Sequence, residues 1–120
     1  ITADGGALWN DDEVEIFLQP PRLPTYRHLG MNAVGAITTE SGAGMAWEAN
    51  VAGVSRLYAD RWVIELSIPF EDIGAAPRPG EAWGFNLAGH QVGPGQMWLT
   101  WSPTAGAFHD PAHFGKLVFE

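Results

Sequence analysis

An all-β domain is predicted by two observations on this chain of 120 residues. The first is composition: 6 Trp, 6 Phe and 2 Tyr accompany 15 Gly and 9 Pro, and this mixture of bulky planar groups and turn formers suits short strands joined by many loops. The second is periodicity. Several short runs alternate apolar and polar residues with a period of two, whereas no helical pattern outlasts a single turn. At 13.0 kDa one core suffices, because a chain of this size buries roughly two thirds of its unfolded surface. Residues 1–120 are therefore read as a single domain, with no internal repeat, low-complexity run or linker.

The elements follow in order. From Asp12 to Gln19 the run DEVEIFLQ sets Val14, Ile16 and Leu18 against Glu13, Glu15, Phe17 and Gln19, a strand whose aliphatic face is expected in the core. PPRLP stops it, because successive prolines cannot donate to a ladder. Tyr26 to Ala36 reads as a second strand with Leu29, Met31 and Ala33 inward, and Gly30 permits a bulge or a close approach. Thr39 to Gly44 reads as a turn-rich connection. AWEANVAGV and SRLYADRW suggest two strands around Gly53 with a tight turn at Ala59 and Asp60. In RWVIELSI, Trp62, Ile64, Leu66 and Ile68 share one face, and Glu65 is an isolated carboxylate on the other. Pro69 ends that strand, PFEDIG has room for one helical turn, and APRPGE is a loop. Trp83 to Ala88 and Met97 to Trp101 alternate as strands, and Lys116 to Glu120 closes the sheet after the loop Ser102 to Gly115. By phase, Trp62, Trp83 and Trp101 belong to the core, Trp47 joins them, and Trp98 faces the opposite way as a further platform.

The formal net charge is −8, with Lys116 as the only lysine. Such a chain lacks the basic field that nucleic acid or an anionic membrane surface requires. No segment approaches the roughly 20 apolar residues of a membrane span, and no signal peptide is present in this stretch. With no cysteine, disulfides and thiolate metal sites are excluded, although the redox compartment is not thereby fixed.

Three blocks carry a resemblance: LWNDDEVEIFLQP near the start, RWVIELSIPFEDIG in the middle, and WLTWSPTAGAFHDPAHFGKLVF at the end. Together, from about Leu8 to Phe119, the chain resembles a family 9-like carbohydrate-binding module of the DOMON-like group. The resemblance implies an antiparallel β-sandwich of jelly-roll or immunoglobulin-like kind that binds a mono- or oligosaccharide without catalysis. It also implies an extracellular or periplasmic protein attached to, or secreted with, polysaccharide-degrading machinery, and it allows a structural calcium. Sugar rings present C–H groups on one face and hydroxyls around the rim, so their sites pair flat aromatic surfaces with convergent polar groups. On the family's pattern Trp9 and Phe108 match the aromatic clamp, and Glu15 matches the carboxylate that accepts sugar hydroxyls. Two departures stand out. Gly30 occupies the place of an arginine on the second strand, with Arg27 three residues before it as the nearest guanidinium, and Gly95 and Gln96 occupy the place of a second arginine. The resulting ligand set is Trp9, Glu15, Arg27 and Phe108.

Each of these residues also has a bland reading. Trp9 serves equally as a lid on the core, and Phe108 follows three small residues that let it point either way. The acidic run Asp11, Asp12, Glu13 offers calcium ligands, but it lacks the spacing of a dedicated loop and reads more simply as solvated. In HDPxxH, Pro111 breaks the helix that would let His109 and His113 share one ion, so Asp110 is read as capping the turn Pro111 to His113. Glu15 and Glu65, as a carboxylate pair for glycoside cleavage, fall on different strands.

Two other functions remain open. DOMON-like sandwiches include haem carriers with Met and His axial ligands, and Met31, Met97, His28 and His90 supply those atoms. A structural module packing on a neighbouring domain is the third reading. Finally, modules of this kind usually carry further strands before the Trp9 block, and ITADGGAL cannot form them. The strand Asp12 to Gln19 is accordingly expected to border an unpaired edge, covered by an upstream part of a larger protein or by edge pairing with a second chain.

Overall fold

The computed structural model describes residues 2–120. Nine strands form two antiparallel sheets that pack as a β-sandwich. They are β1 (Glu13–Gln19), β2 (Arg27–Asn32), β3 (Ile37–Ser41), β4 (Met45–Ala46), β5 (Ala52–Leu57), β6 (Trp62–Ser67), β7 (Ala82–Gln91), β8 (Met97–Thr100) and β9 (Gly115–Val118). The larger sheet runs β4-β3-β2-β1-β7, and β8 and β9 share the far side of the long β7, one at each of its ends. The second sheet is the hairpin β5-β6. The single α-helical turn, α1 (Phe70–Ile73), follows Pro69 and closes on Gly74 in the left-handed region, a conformation glycine adopts without steric cost.

Alternation sorts the side chains of the large sheet onto two faces. On the first lie Ile16 and Leu18 of β1 and Trp83 and Phe85 of β7, packed with Trp47 and Ile73 in one apolar core. The β5-β6 hairpin covers this face further along: Gly53 approaches so closely that a Cβ there would stand 3.1 Å from both Met31 and Ile37 side-chain atoms. The second face carries Phe17, Tyr26 and Ala88, with Phe108 and Phe114 packed over them from the long loop after β8.

Several expectations change. Strand β1 does not border an edge; it pairs with β2 on one side and β7 on the other, with Phe17 opposite both His28 and Asn86. Its more buried face is not the aliphatic one, for Glu13, Glu15 and Phe17 are buried while Val14 and Ile16 are only half-buried. Residues 39–41, read as loop, continue a strand from Ile37, because their backbone completes the ladder to β2 even though Thr38, Thr39 and Glu40 carry no apolar signal. Around Gly53 there is one strand, Ala52–Leu57, and the turn after it is closed by Tyr58 N–H donating to Arg61 C=O at 2.8 Å. Trp101, placed in the core by its phase, is 58% exposed: it lies just past β8, where its ring covers Gly115 and meets Phe85 edge-on. Trp83 and Trp47 are buried, and Trp62 is half-buried on the hairpin.

The loop that follows β8 is tied to the sheet by one side chain. Asn86 is fully buried, its Oδ1 accepts Ser102 N–H at 2.8 Å, and its Nδ2 donates to Ser102 C=O at 3.1 Å. An amide that satisfies both backbone groups of one residue holds it as a strand partner would. Asn86→Ala is expected to lower the free energy of unfolding by about 1–3 kcal/mol, the cost of leaving such groups unpaired. An unchanged urea midpoint in this variant would show that the loop is anchored elsewhere.

Candidate functional site

The second face of the large sheet opens into a cavity of about 530 Å³. Trp9, Glu13, Glu15, Glu40, His90, Trp98, Phe108 and His109 line it. Trp9 comes from a 3₁₀ turn, Leu8–Asn10, that leads into β1. Glu13 and Glu15 project from β1, Glu40 from β3, His90 from β7 and Trp98 from β8, while Phe108 and His109 come from the loop. Three of the four expected ligand residues, Trp9, Glu15 and Phe108, therefore meet at one cavity. Arg27 does not. It lies on the first face by alternation, where Nε donates to Ile73 C=O at 3.0 Å, Nη1 donates to Ser41 Oγ at 2.7 Å, and the guanidinium lies over the Trp47 ring.

Behind Trp9 sits His28, fully buried on β2. Its ring lies between Trp9 and Phe17, with centroids 4.8 and 4.4 Å away and planes 17° and 8° from parallel. Both ring nitrogens face carboxylates: Nε2 is 2.6 Å from Glu15 Oε1 and Nδ1 is 3.1 Å from Glu40 Oε2. His109 stands edge-on to His28 at 4.5 Å, and its Nδ1 is 2.7 Å from the Tyr26 hydroxyl. Burial and then the neighbouring His28 hold the His109 imidazole below its ordinary pKa, against the opposing pull of Glu15 and Glu40. Burial, followed by the adjacent Glu15 carboxylate, pushes the Glu13 carboxyl up to about 9, so it is neutral at pH 7. The two carboxyls also share a hydrogen bond, which the protonated Glu13 donates to Glu15.

Trp9 can lie flat here because Gly30 lacks a side chain. A Cβ at Gly30 would come within 2.7 Å of Trp9 Cζ3. At the far side Trp98 is 61% exposed and stacks on His90 with centroids 5.1 Å apart and planes 7° from parallel. Phe108 is half-buried, packed on the Phe17 cluster while also lining the cavity.

Other sequence expectations resolve into structure. Asp110 occupies the position before the turn Pro111–His113 but makes no side-chain cap; its Oδ2 instead accepts Ala105 N–H at 2.9 Å and contacts His113 Nδ1 at 2.7 Å, closing the loop on itself. The acidic run does not converge on one point. Asp11 Oδ2 accepts from Asn32, Asp12 Oδ1 accepts Val92 N–H, and Glu13 turns into the cavity. Glu65 lines a separate surface cavity on the hairpin with Val54, Arg56, Tyr58 and Val63. Met31 and His28, offered as haem ligands, point to opposite faces of β2, so the strand cannot present both to one iron. Sequence reasoning passed over Glu13 and Glu40, which line the cavity, and His28, which is buried behind Trp9. Their one signal was polarity at alternate positions, which a solvated strand face also shows.

Residues 1–120 match the family model described as carbohydrate family 9 binding domain-like. Among solved structures the chain is similar to a crystal structure from Bacteroides uniformis ATCC 8492, of a protein provisionally described as carbohydrate-binding. The two share 22% identity and a TM-score of 0.75 over 99% of this chain and 66% of that one. The chain thus spans just under two thirds of that neighbour's length. No curated protein matches it.

The seating of Trp9 over Gly30 is testable by a double-mutant cycle. Gly30→Ala should destabilise the fold by about 0.5–1.5 kcal/mol, because the indole must lift from His28 and lose its stacking. In a Trp9→Ala background the same change should cost little. Additive losses in thermal or chemical denaturation would rule out the contact.

Proposed function

The chain belongs to the carbohydrate family 9 binding domain-like family, and from that membership we propose that it is a non-catalytic module that binds a mono- or oligosaccharide in the Trp9–Trp98–Phe108 cavity. The observation that carries this reading is the pairing, in one opening, of aromatic rings with three carboxyl groups, Glu13, Glu15 and Glu40. Ring faces suit the C–H patch of a sugar, and carboxyl oxygens suit its hydroxyls. Glu13, held neutral beside Glu15, adds a carboxyl group on the cavity wall that a ligand hydroxyl can meet. Glu15 keeps its family role as acceptor with the oxygen that does not face His28.

The missing guanidinium donors set the character of binding. Bidentate arginine contacts fix the geometry of vicinal hydroxyls, and here Trp9 fills the space over Gly30 while Arg27 is committed to the opposite face. Recognition thus rests on stacking and acceptors. In this reading the protein acts outside the cytoplasm, beside polysaccharide-degrading or cell-surface partners, and belongs to a larger polypeptide or pairs with a second chain. No helix among the described residues is long and apolar enough to cross a membrane.

Affinity should be modest, with Kd about 10 µM to 1 mM, equivalent to roughly −7 to −4 kcal/mol. A glycan array followed by calorimetry identifies the sugar. Trp98→Ala should then weaken binding by about 1–3 kcal/mol, by analogy with the loss of one stacking platform, while leaving the melting temperature unchanged, since the ring is largely in solvent. Glu13→Gln should weaken it too. If both variants bind the array ligand as the wild type does, the cavity is not the sugar site.

A further inference from the structure

We propose that Glu15, His28 and His109 form a binding site for a first-row divalent transition metal of the Zn²⁺ type at the floor of the cavity. One donor atom from each of the three lies within 4.8 Å of the others, and among the described residues they are the one cluster of three potential ligands. The proposal stands independently of the sugar reading.

The chemistry selects the class of ion. Two imidazoles and one carboxylate are the donors that Zn²⁺ and its neighbours take, in a three-ligand set that leaves a coordination position open. Ca²⁺ and Mg²⁺ want six or more oxygens and are poorly served. Around a tetrahedral ion with bonds of about 2 Å, donor atoms stand roughly 3.3 Å apart. Glu15 Oε1 and His28 Nε2, now 2.6 Å apart, would open slightly, and His109 would draw in.

The supporting groups are those a metal site requires. Metal-binding imidazoles usually engage their second nitrogen with a hydrogen-bonding partner, which fixes the tautomer and the ring orientation. Here Glu40 Oε2 faces His28 Nδ1, and the Tyr26 hydroxyl faces His109 Nδ1, leaving an Nε2 on each ring for the ion. Trp9 and Phe17 lock the His28 plane, and Phe17 meets His109 edge-on at 88°. Glu15 and His109 line the cavity, so an ion can enter from solvent and its open position faces the space where a ligand would sit.

Untagged protein comprising residues 1–120, titrated with Zn²⁺ in a calorimeter, should bind one ion, and excess Ca²⁺ should not compete. Tyr26→Phe, which leaves all three ligands in place, should weaken binding by about 10–100-fold, the usual loss when an outer partner is removed. His109→Ala should weaken it by more than that. The Co²⁺-loaded wild type should show the intense visible absorption of a four-coordinate site, a readout that does not depend on any variant folding. Zn²⁺ affinity unchanged in His109→Ala, or a Co²⁺ spectrum of an octahedral aquo-like ion, would overturn the proposal.

Discussion

A buried imidazole held at both nitrogens by carboxylates organises the second face of this sandwich. His28 has no exposure, yet it is polar and faces Glu15 and Glu40. Its position follows from the register of β1 and β2, in which Phe17 lies opposite His28 and Glu15 opposite Gly30. A slip of one residue would send Phe17, Glu15 and Glu13 to the aliphatic side. The same register seats Phe17 beneath His28, and the bare Gly30 leaves room for Trp9 above it. Cavity, aromatic stack and buried polar groups therefore all stand on one strand pairing.

Burying such groups is expensive. Removing a carboxylate or an imidazolium from water costs several kcal/mol even after relaxation, and apolar side chains of the same volume often stabilise a fold as well or better. The first face shows that alternative, with Leu18, Trp47, Ile73 and Trp83 packed in an apolar core. Stability can come from that face. The polar cluster on the other is kept rigid by the stack Trp9–His28–Phe17 and by Asn86, which pins the covering loop at Ser102.

Gly30 has no side chain, and the indole of Trp9 occupies the space above it. Arg27 lies three positions from Gly30, an odd offset along the strand, so its side chain is on the other face. Its guanidinium instead joins the helical turn α1, Ser41 and Trp47 on the core side.

Much of the fold was legible in sequence because β structure writes its alternation locally. Strands β1, β6, β7 and β8, the single helical turn and the family blocks could be read from residues adjacent in the chain, and so could the aromatic and acidic character of Trp9, Glu15 and Phe108. Strand β3 escaped, since its pairing with β2 depends on backbone groups that carry no side-chain signal. Which face of β1 is more buried was also beyond reach, because Phe108 and Phe114, which pack on the Phe17 cluster, come from a distant segment. The same holds for Trp101, whose phase matched a core strand although β9 offers it only Gly115 to lie on. The sequence by itself determined the all-β class, the family and three of the cavity's residues. Only the tertiary structure brought His28, Glu40 and His109 to Glu15, for that convergence depends on three-dimensional pairing of segments up to 94 residues apart, and no local pattern records it.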